Sequence, residues 1–592
     1  MPSKPLLLRL RSWSLWRLLP YLKRYRFRLI VGCLMVLLTD LAGVAIPWVL
    51  RNATNTLQGA SFSTSLLVRY AVLILGLSIL GGVFRFFMRR IVIGASRYIE
   101  YDLGNDLFAS LERMAAPFYR RFTTGDLMAR LTNDLSAVRM VLGPGIMYSM
   151  ETLFTATLIT VLLFRISPSL AVLILLPAVV VSLLARRAGR LIHQRFEKIQ
   201  EQFSWLTTLA QEVVSGIRVV KAYTQEPATA RRFEDANQEY VGRSMRLVKL
   251  WGAFQPMLAL LLGVSLVVLM WFGGRQVMTG RITLGDFVAF IVYLGMLTWP
   301  TIALGWVINI VERGSASMTR LLEILDAEPE VRDDESVLPG PISIQGHIEV
   351  RNLSFRYRDQ LILDDISFTV SVGETLAIVG RTGSGKSTLM NLLCRLYPVP
   401  PSTIFIDGHD INRIPLRALR QAIGYVPQDA FLFSDTIRGN IAFGRPDADL
   451  ASVEQAAGAA YILPDILDLP ERFETFVGER GITLSGGQKQ RVSLSRALLV
   501  QPRILLLDDA LSAVDTETEA KILASLRTYL ERCTAILISH RVSTLTLADQ
   551  ILVLENGRIV ERGTHEQLLS REGYYAELYR RQLLREELEV EP

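Results

Sequence analysis

Cysteine is scarce in this sequence. Only Cys33, Cys394 and Cys533 occur among 592 residues, and they lie too far apart for a metal-ligand spacing or a disulfide framework. A reducing surrounding for the soluble part fits that scarcity. Charge is thin as well, 20% of residues against 50% hydrophobic. The net charge of +7 comes with no stretch where basic and aromatic residues interleave as a nucleic-acid surface would, so nucleic acid is not an expected partner. The excess is expected on loops and helix ends at the cytoplasmic face of a membrane. No removable signal pattern precedes the first apolar run, and that run is expected to be retained as a span.

What the sequence does have is long apolar runs, all within its first half. Six stretches, near 29–50, 66–88, 141–164, 169–187, 250–272 and 287–311, are long enough to cross a bilayer, which takes about 20 helical residues. Ahead of them, residues 1–28 are basic and interrupted by apolar and aromatic side chains, as in an amphipathic helix lying on the membrane surface. The links from the second to the third stretch and from the fourth to the fifth are long and rich in Arg and Lys. Positive charge stays inside, so these links, both chain ends and the C-terminal half are expected in the cytoplasm. Helical periodicity in the links suggests that the spans continue past the membrane as helices.

Two acids, Asp40 and Glu151, fall within spans. There they face a cavity, a substrate or a hydrogen-bonding neighbour. Arg69 and Arg85 can snorkel to span ends. Trp271, Phe290, Tyr293, Trp299 and Trp306 are candidates to line a substrate path, and equally candidates for lipid-facing anchors.

The second half carries TLAIVGRTGSGKST at 375–388. A β-type apolar run enters a glycine-rich loop and an apolar-periodic helix follows. Gly380 to Ser387 matches the phosphate-loop pattern, in which backbone N–H groups turn inward on phosphate oxygens. Gly380, Thr382, Gly383, Ser384, Gly385, Lys386, Ser387 and Thr388 are the candidate ATP-binding set. Lys386 would reach the β and γ phosphates, and the Ser387 hydroxyl would ligate Mg²⁺. Downstream, ILLLDDALSAVD at 504–515 reads as a buried strand ending on two acids. Asp508 is placed to hold Mg²⁺ and Asp509 to face the attacking water.

These motifs do not stand alone. LSGGQ, formed by Leu484, Ser485, Gly486, Gly487 and Gln488, resembles the signature of ATP-binding cassette (ABC) transporters. Tyr357 resembles their adenine-stacking aromatic residue, Gln428 their Q-loop glutamine, which reaches Mg²⁺, and Asp515 lies in a stretch similar to their D-loop. His540 resembles their switch histidine, which contacts the γ-phosphate, and Val477–Gly481 looks like the segment found before the signature in exporters. The order is the family's, and TGDLMARLTND at 124–134 resembles the membrane half of type IV exporter half-transporters of the multidrug class.

The resemblance implies an all-α six-helix transmembrane domain over 29–315, a linker over 316–344, an α/β P-loop ATPase domain over 345–582 and a tail over 583–592. It implies a cell-membrane ATPase with ATP and Mg²⁺ as cofactors. It implies alternating access, with contacts near Phe118–Phe122 and Ala222–Glu226 carrying cassette closure to the spans. Asp509, His540 and Gln428 would be its catalytic set, and the signature would serve ATP held by another subunit. Hydrophobic or amphipathic small molecules, lipids or peptides are the expected cargo. An ATP-gated channel or regulatory subunit is the alternative of another class; the regulatory insertions it would carry are not visible between 315 and 345.

One position departs from the pattern. The family's active cassettes place Glu after the metal aspartate, and this chain has Asp509. Its carboxylate sits roughly 1 Å further back, and a misplacement of that size costs on the order of 10²-fold in rate. The expectation is a site that binds ATP and cleaves it slowly, in a chain paired with a homologous half-transporter that carries the Glu.

Overall fold

The computed structural model describes residues 14–58, 64–340 and 342–581. The N-terminal basic segment before Ser14 and the expected tail lie outside the described residues. The chain divides into two compact units. The first holds residues up to Glu112 together with Gly125–Ala327; the second holds Arg113–Thr124 and everything from Glu328 onward.

The first unit is all helix. Six long helices follow one another: α1 (Arg26–Gln58), α2 (Thr64–Arg113), α3 (Thr124–Ile166), α4 (Pro168–Ser215), α5 (Glu226–Val268) and α6 (Leu284–Leu325). Each overlaps one apolar run and extends beyond it, as the periodicity in the links suggested. At 50 residues and about 1.5 Å per residue, α2 outruns the bilayer more than twofold. Over the described residues, α1, α2, α3 and α6 are each long and apolar enough to span.

Close backbone approach and buried polar pairs fix the packing of α1 on α6. A side chain at Gly285 would collide with the Arg51 carbonyl oxygen, so only glycine lets α6 start there. The Gly285 N–H donates to Asn55 Oδ1 at 2.8 Å, Arg51 pairs with Asp286, and Thr283 and Asp286 close a capping box. Phe290 and Tyr293 are fully buried in this unit's core, and the Tyr293 hydroxyl donates to the Val44 carbonyl at 2.9 Å. These two aromatics are packing residues, and the candidate substrate-lining role does not hold for them in this structure. Trp271, Trp299 and Trp306 remain exposed.

The stretch at 124–134 has a physical explanation. Asp126, Arg130 and Asp134 recur every four residues and share one face of α3. That face meets α6: Arg130 pairs with Glu323 at 2.7 Å, and Arg320 pairs with Asp126 at 2.6 Å and Asp134 at 3.2 Å. Ser317 donates to Asp134 at 2.8 Å.

The second unit is α/β. Strands β1 (Ile348–Tyr357), β2 (Gln360–Val370), β4 (Ile404–Ile406) and β5 (His409–Asp410) form an antiparallel sheet in the order β2-β1-β4-β5. The main sheet has the order β10-β9-β3-β8-β7-β6. It comprises β3 (Thr375–Gly380), β6 (Ile423–Val426), β7 (Ile504–Asp508), β8 (Thr534–Ile538), β9 (Gln550–Glu555) and the antiparallel edge strand β10 (Arg558–Gly563). Strands β3, β7 and β8 are buried along their whole length, as central parallel strands covered on both faces must be. Helices α7 (Lys386–Leu393), α8 (Leu450–Ala459), α9 (Gly486–Leu499) and α10 (Thr516–Leu530) accompany the sheets.

Register decides what the main sheet can do. Ile378 of β3 pairs with Ile538 of β8, which pairs with Asp508 of β7. The chain therefore leaves all three strands at one carboxyl edge, the edge at which open α/β sheets hold their ligands.

Candidate functional site

Three loops converge at that edge. After β3, Gly380–Gly385 turns into α7. Gly385 has φ +105°, and a side chain there would meet Leu363 Cδ2 at 2.6 Å, so the loop accepts only glycine at the helix entrance. The Lys386 ammonium donates to the Gly380 and Arg381 carbonyls at 2.7 and 2.9 Å, which folds it over the loop's mouth. Ser384 Oγ is buried and has no hydrogen-bond partner among the described residues, an arrangement that a phosphate oxygen would relieve. Thr382 and Gly383 are exposed, and Thr388 is buried in the first turn of α7. Glycine backbone, ammonium and orphaned hydroxyl together fit a polyphosphate.

After β7 come Asp508 and Asp509. The Ser387 hydroxyl lies near enough to the Asp508 carboxylate to favour its ionised form, so the two oxygen donors foreseen for Mg²⁺ are already neighbours, and both suit a hard cation. Burial raises the Asp508 pKa from its ordinary value, against the pull of the nearby Ser387 hydroxyl. Burial lowers the Lys386 pKa, while the charges of Asp508 and Asp509 act the other way. Asp509 stands in the left-handed region at φ 49°, which Asp tolerates better than most residues. Its N–H donates to the Ile538 carbonyl at 2.8 Å.

After β8, Ser539 leads to His540. Desolvation lowers the His540 pKa below its ordinary value, Lys386 adds to the effect, and Asp509 and Asp508 oppose it. Lysine, two aspartates and histidine thus form one electrostatic cluster. Gln428 lies two residues beyond β6, at the same edge, since Val426 pairs with Leu507.

Tyr357 ends β1 in the other sheet. The edges of Phe355 and Tyr397 hold it, with centroids 5.0 and 5.1 Å away, and the Arg120 guanidinium sits over its face at 4.2 Å. Arg120 belongs to the short helix Ala116–Arg121, whose Ala116 N–H donates to the Leu396 carbonyl at 3.2 Å. Of the two link segments expected to carry closure, Phe118–Phe122 therefore packs within the second unit. Ala222–Glu226 is exposed.

The signature starts α9. Ser485 is its N-cap, and Ser485 and Gln488 form a capping box, worth about 1 kcal/mol for such a cap. Leu484 packs against the cluster beneath. A side chain at Gly487 would come within 2.8 Å of the Ala513 carbonyl oxygen, so signature and D-loop touch backbone to backbone. Gln488 Nε2 also donates to Asp465 at 2.9 Å. Among the described residues, no hydrogen bond or ion pair joins the signature to the loop Gly380–Thr388. Asp515 caps α10, accepting from the Thr518 N–H at 2.9 Å.

Sequence reasoning missed three supports. Buried Gln490 donates to Ser512 Oγ and accepts from the Ala513 N–H, both at 2.9 Å, tying α9 to the D-loop. Glu519, 2% exposed, holds Arg541, Ser543 and Thr544, so the chain beyond His540 is anchored to α10. Arg120 is the third. A polar residue one turn into an otherwise buried helix face, like Glu519 in α10, was the available signal.

Comparison with known proteins decides the family. The ABC transporter transmembrane region model matches residues 29–301, and the ABC transporter model matches 363–512. A probable multidrug resistance ABC transporter ATP-binding/permease protein of Bacillus subtilis, YheI, is 39% identical over 95% of this chain and 97% of its own length. This chain belongs to the ABC transporter family. The multidrug resistance-like ATP-binding protein MdlA of Escherichia coli is 35% identical, with 97% of each chain covered. An ATP-dependent lipid A-core flippase of Syntrophus aciditrophicus is 36% identical over 82% of this chain and 80% of its own. Among solved structures, a bacterial Atm1-family ABC exporter with ATP bound matches with a TM-score of 0.78 and 31% identity, covering 94% of this chain and 98% of that one. This ABC chain is thus a membrane exporter whose ATPase domain couples ATP hydrolysis to transport.

Proposed function

We propose that this ABC exporter chain is one half of a heterodimer, and that its own phosphate loop holds ATP while cleaving it slowly. Asp509 is the observation that carries the reading. Glu is the family's residue after the metal aspartate, and Asp is one methylene shorter. The hydrogen bond to Ile538 and the left-handed backbone pin residue 509, so a shift of the strand does not recover the lost reach. A general base roughly 1 Å out of line with the γ-phosphorus loses on the order of 10²-fold in rate.

In this reading Lys386, Ser384 and the loop N–H groups bind the phosphates, and Tyr357 stacks on adenine. Ser387, Asp508 and Gln428 hold Mg²⁺, which would screen phosphate charge. His540 donates to the γ-phosphate, and Ser485 with the glycines of the signature serves ATP on the partner. The signature's own partners in this chain are all structural, which suits a surface kept for another subunit. The chain sits in the cytoplasmic membrane with its ATPase domain inside. Closure passes through Phe118–Phe122 and Ala222–Glu226, and the cargo is hydrophobic or amphipathic. The relatives named for multidrug resistance support drugs; the flippase supports a lipid cargo as second reading.

The test is ATPase activity of the chain purified alone, compared with Asp509→Glu. At least a tenfold gain in kcat is expected with KM little changed. A wild-type rate equal to that of the Glu variant would sink the proposal.

A further inference from the structure

The edge of the main sheet opposite the phosphate loop carries a cavity of 450 Å³. Arg503 and Cys533 immediately precede β7 and β8, whose first residues, Ile504 and Thr534, are paired. Five residues of strand, about 17 Å, separate this edge from Asp508. The far ends of α9 and α10 and one face of α8 close the sides. The volume falls in the usual range for small-molecule sites.

Its charge is one-sided. Arg445, Arg503 and Arg532 line it, and no aspartate or glutamate does among the described residues. Among those residues, none of the three guanidinium groups makes a hydrogen bond or ion pair there. The carboxylate that feels Arg445, Asp449, is already used to cap α8. Three like charges around one cavity repel one another and raise the local potential. Other arginines of this unit do find carboxylates: Arg491 holds Asp465 with two hydrogen bonds, and Arg541 holds Glu519. The floor is apolar, with Leu498 and Leu505, and Tyr529 stands at the side. Arg is the side chain best matched to phosphate and carboxylate oxygens, by its planar fork of donors.

We propose that this cavity is a binding site for a small polyanion carrying two or more adjacent phosphate or carboxylate groups, separate from the ATP site. Two of its arginines flank the paired strand ends, and the third comes from the turn before α8. An anion seated between them would neutralise all three.

The experiment titrates full-length Lys386→Ala chain in nanodiscs, whose phosphate loop has lost its ammonium, with inorganic pyrophosphate by calorimetry. Saturable binding is expected, weakened at least tenfold by Arg503→Ala/Arg532→Ala and less by the Lys replacements. Thermal melting confirms that each variant is folded, and Arg445→Ala replaces the double variant if that one is not. Citrate is the second arm: competition with pyrophosphate assigns the site to charge alone, and failure to compete assigns it to phosphate. Absence of saturable binding, or binding that survives loss of the arginines, overturns the proposal.

Discussion

The guanidinium of Arg120 lies over the ring of Tyr357, 4.2 Å from its centroid. One face of the candidate adenine platform is thus covered by a cation from the short helix Ala116–Arg121, and Phe355 and Tyr397 press on its edges. Only the opposite face is left for a base. An exposed cation–π contact contributes about 0.5–1 kcal/mol, so Arg120→Ala should weaken ATP binding roughly two- to fivefold. Tyr357→Ala should cost about 1–3 kcal/mol, the worth of base stacking. Fluorescent-nucleotide titration of both single variants and the double variant checks this; the Arg120 effect should vanish once Tyr357 is gone.

Ser384 gives a prediction with two signs. Its hydroxyl is buried without a partner among the described residues, which costs about 1–3 kcal/mol. Ser384→Ala should therefore raise the melting temperature of the nucleotide-free chain while lowering ATP affinity. A thermal melt with and without ATP reads both effects in one experiment.

Glu519 is one carboxylate that accepts from Arg541, Ser543 and Thr544 together. Glu519→Ala takes the carboxylate from half-buried Arg541, which keeps only its hydrogen bond to the Ser512 carbonyl, at a cost of about 2 kcal/mol. The urea midpoint of the nucleotide-binding unit should fall, and Glu519→Gln should restore part of the loss by keeping hydrogen bonds to the two hydroxyls.

His540 should titrate below its ordinary value of about 6.5, because desolvation and the Lys386 ammonium disfavour the imidazolium. The ring is then neutral at pH 7. As pH falls through 6.5 the unfolded chain takes the proton first, so this group's contribution to stability is lost on acidification. Bound ATP adds negative charge and should move the midpoint upward. Histidine-labelled NMR, with His540→Gln to assign the signal, measures both midpoints. A midpoint above 6.5 without nucleotide would contradict the arrangement.

Much of this architecture was legible in the sequence, for reasons that differ between elements. Apolar runs announce membrane helices because nothing else tolerates them, and Gly380–Ser387 and Asp508 are local patterns whose spacing states their chemistry. The helical extension of α2 to Arg113 followed from periodicity. Other features depend on partners far along the chain. The burial of Phe290 and Tyr293 is set by Val44 and its neighbours on α1, which are distant in sequence. Nothing local in RRFTT marks Arg120 as a neighbour of Tyr357, and nothing near Arg503 tells of Arg445 and Arg532. Those contacts exist only once the strands have found their register.

The central claim is that ATP is held on this chain and cleaved slowly. The most direct measurement is a single-turnover quench: γ-labelled ATP and Mg²⁺ are mixed with an excess of the chain, and bound nucleotide is identified over time. The account predicts that bound label remains ATP on a time scale about 10²-fold longer than in Asp509→Glu. Conversion to ADP at the same rate in both would contradict it.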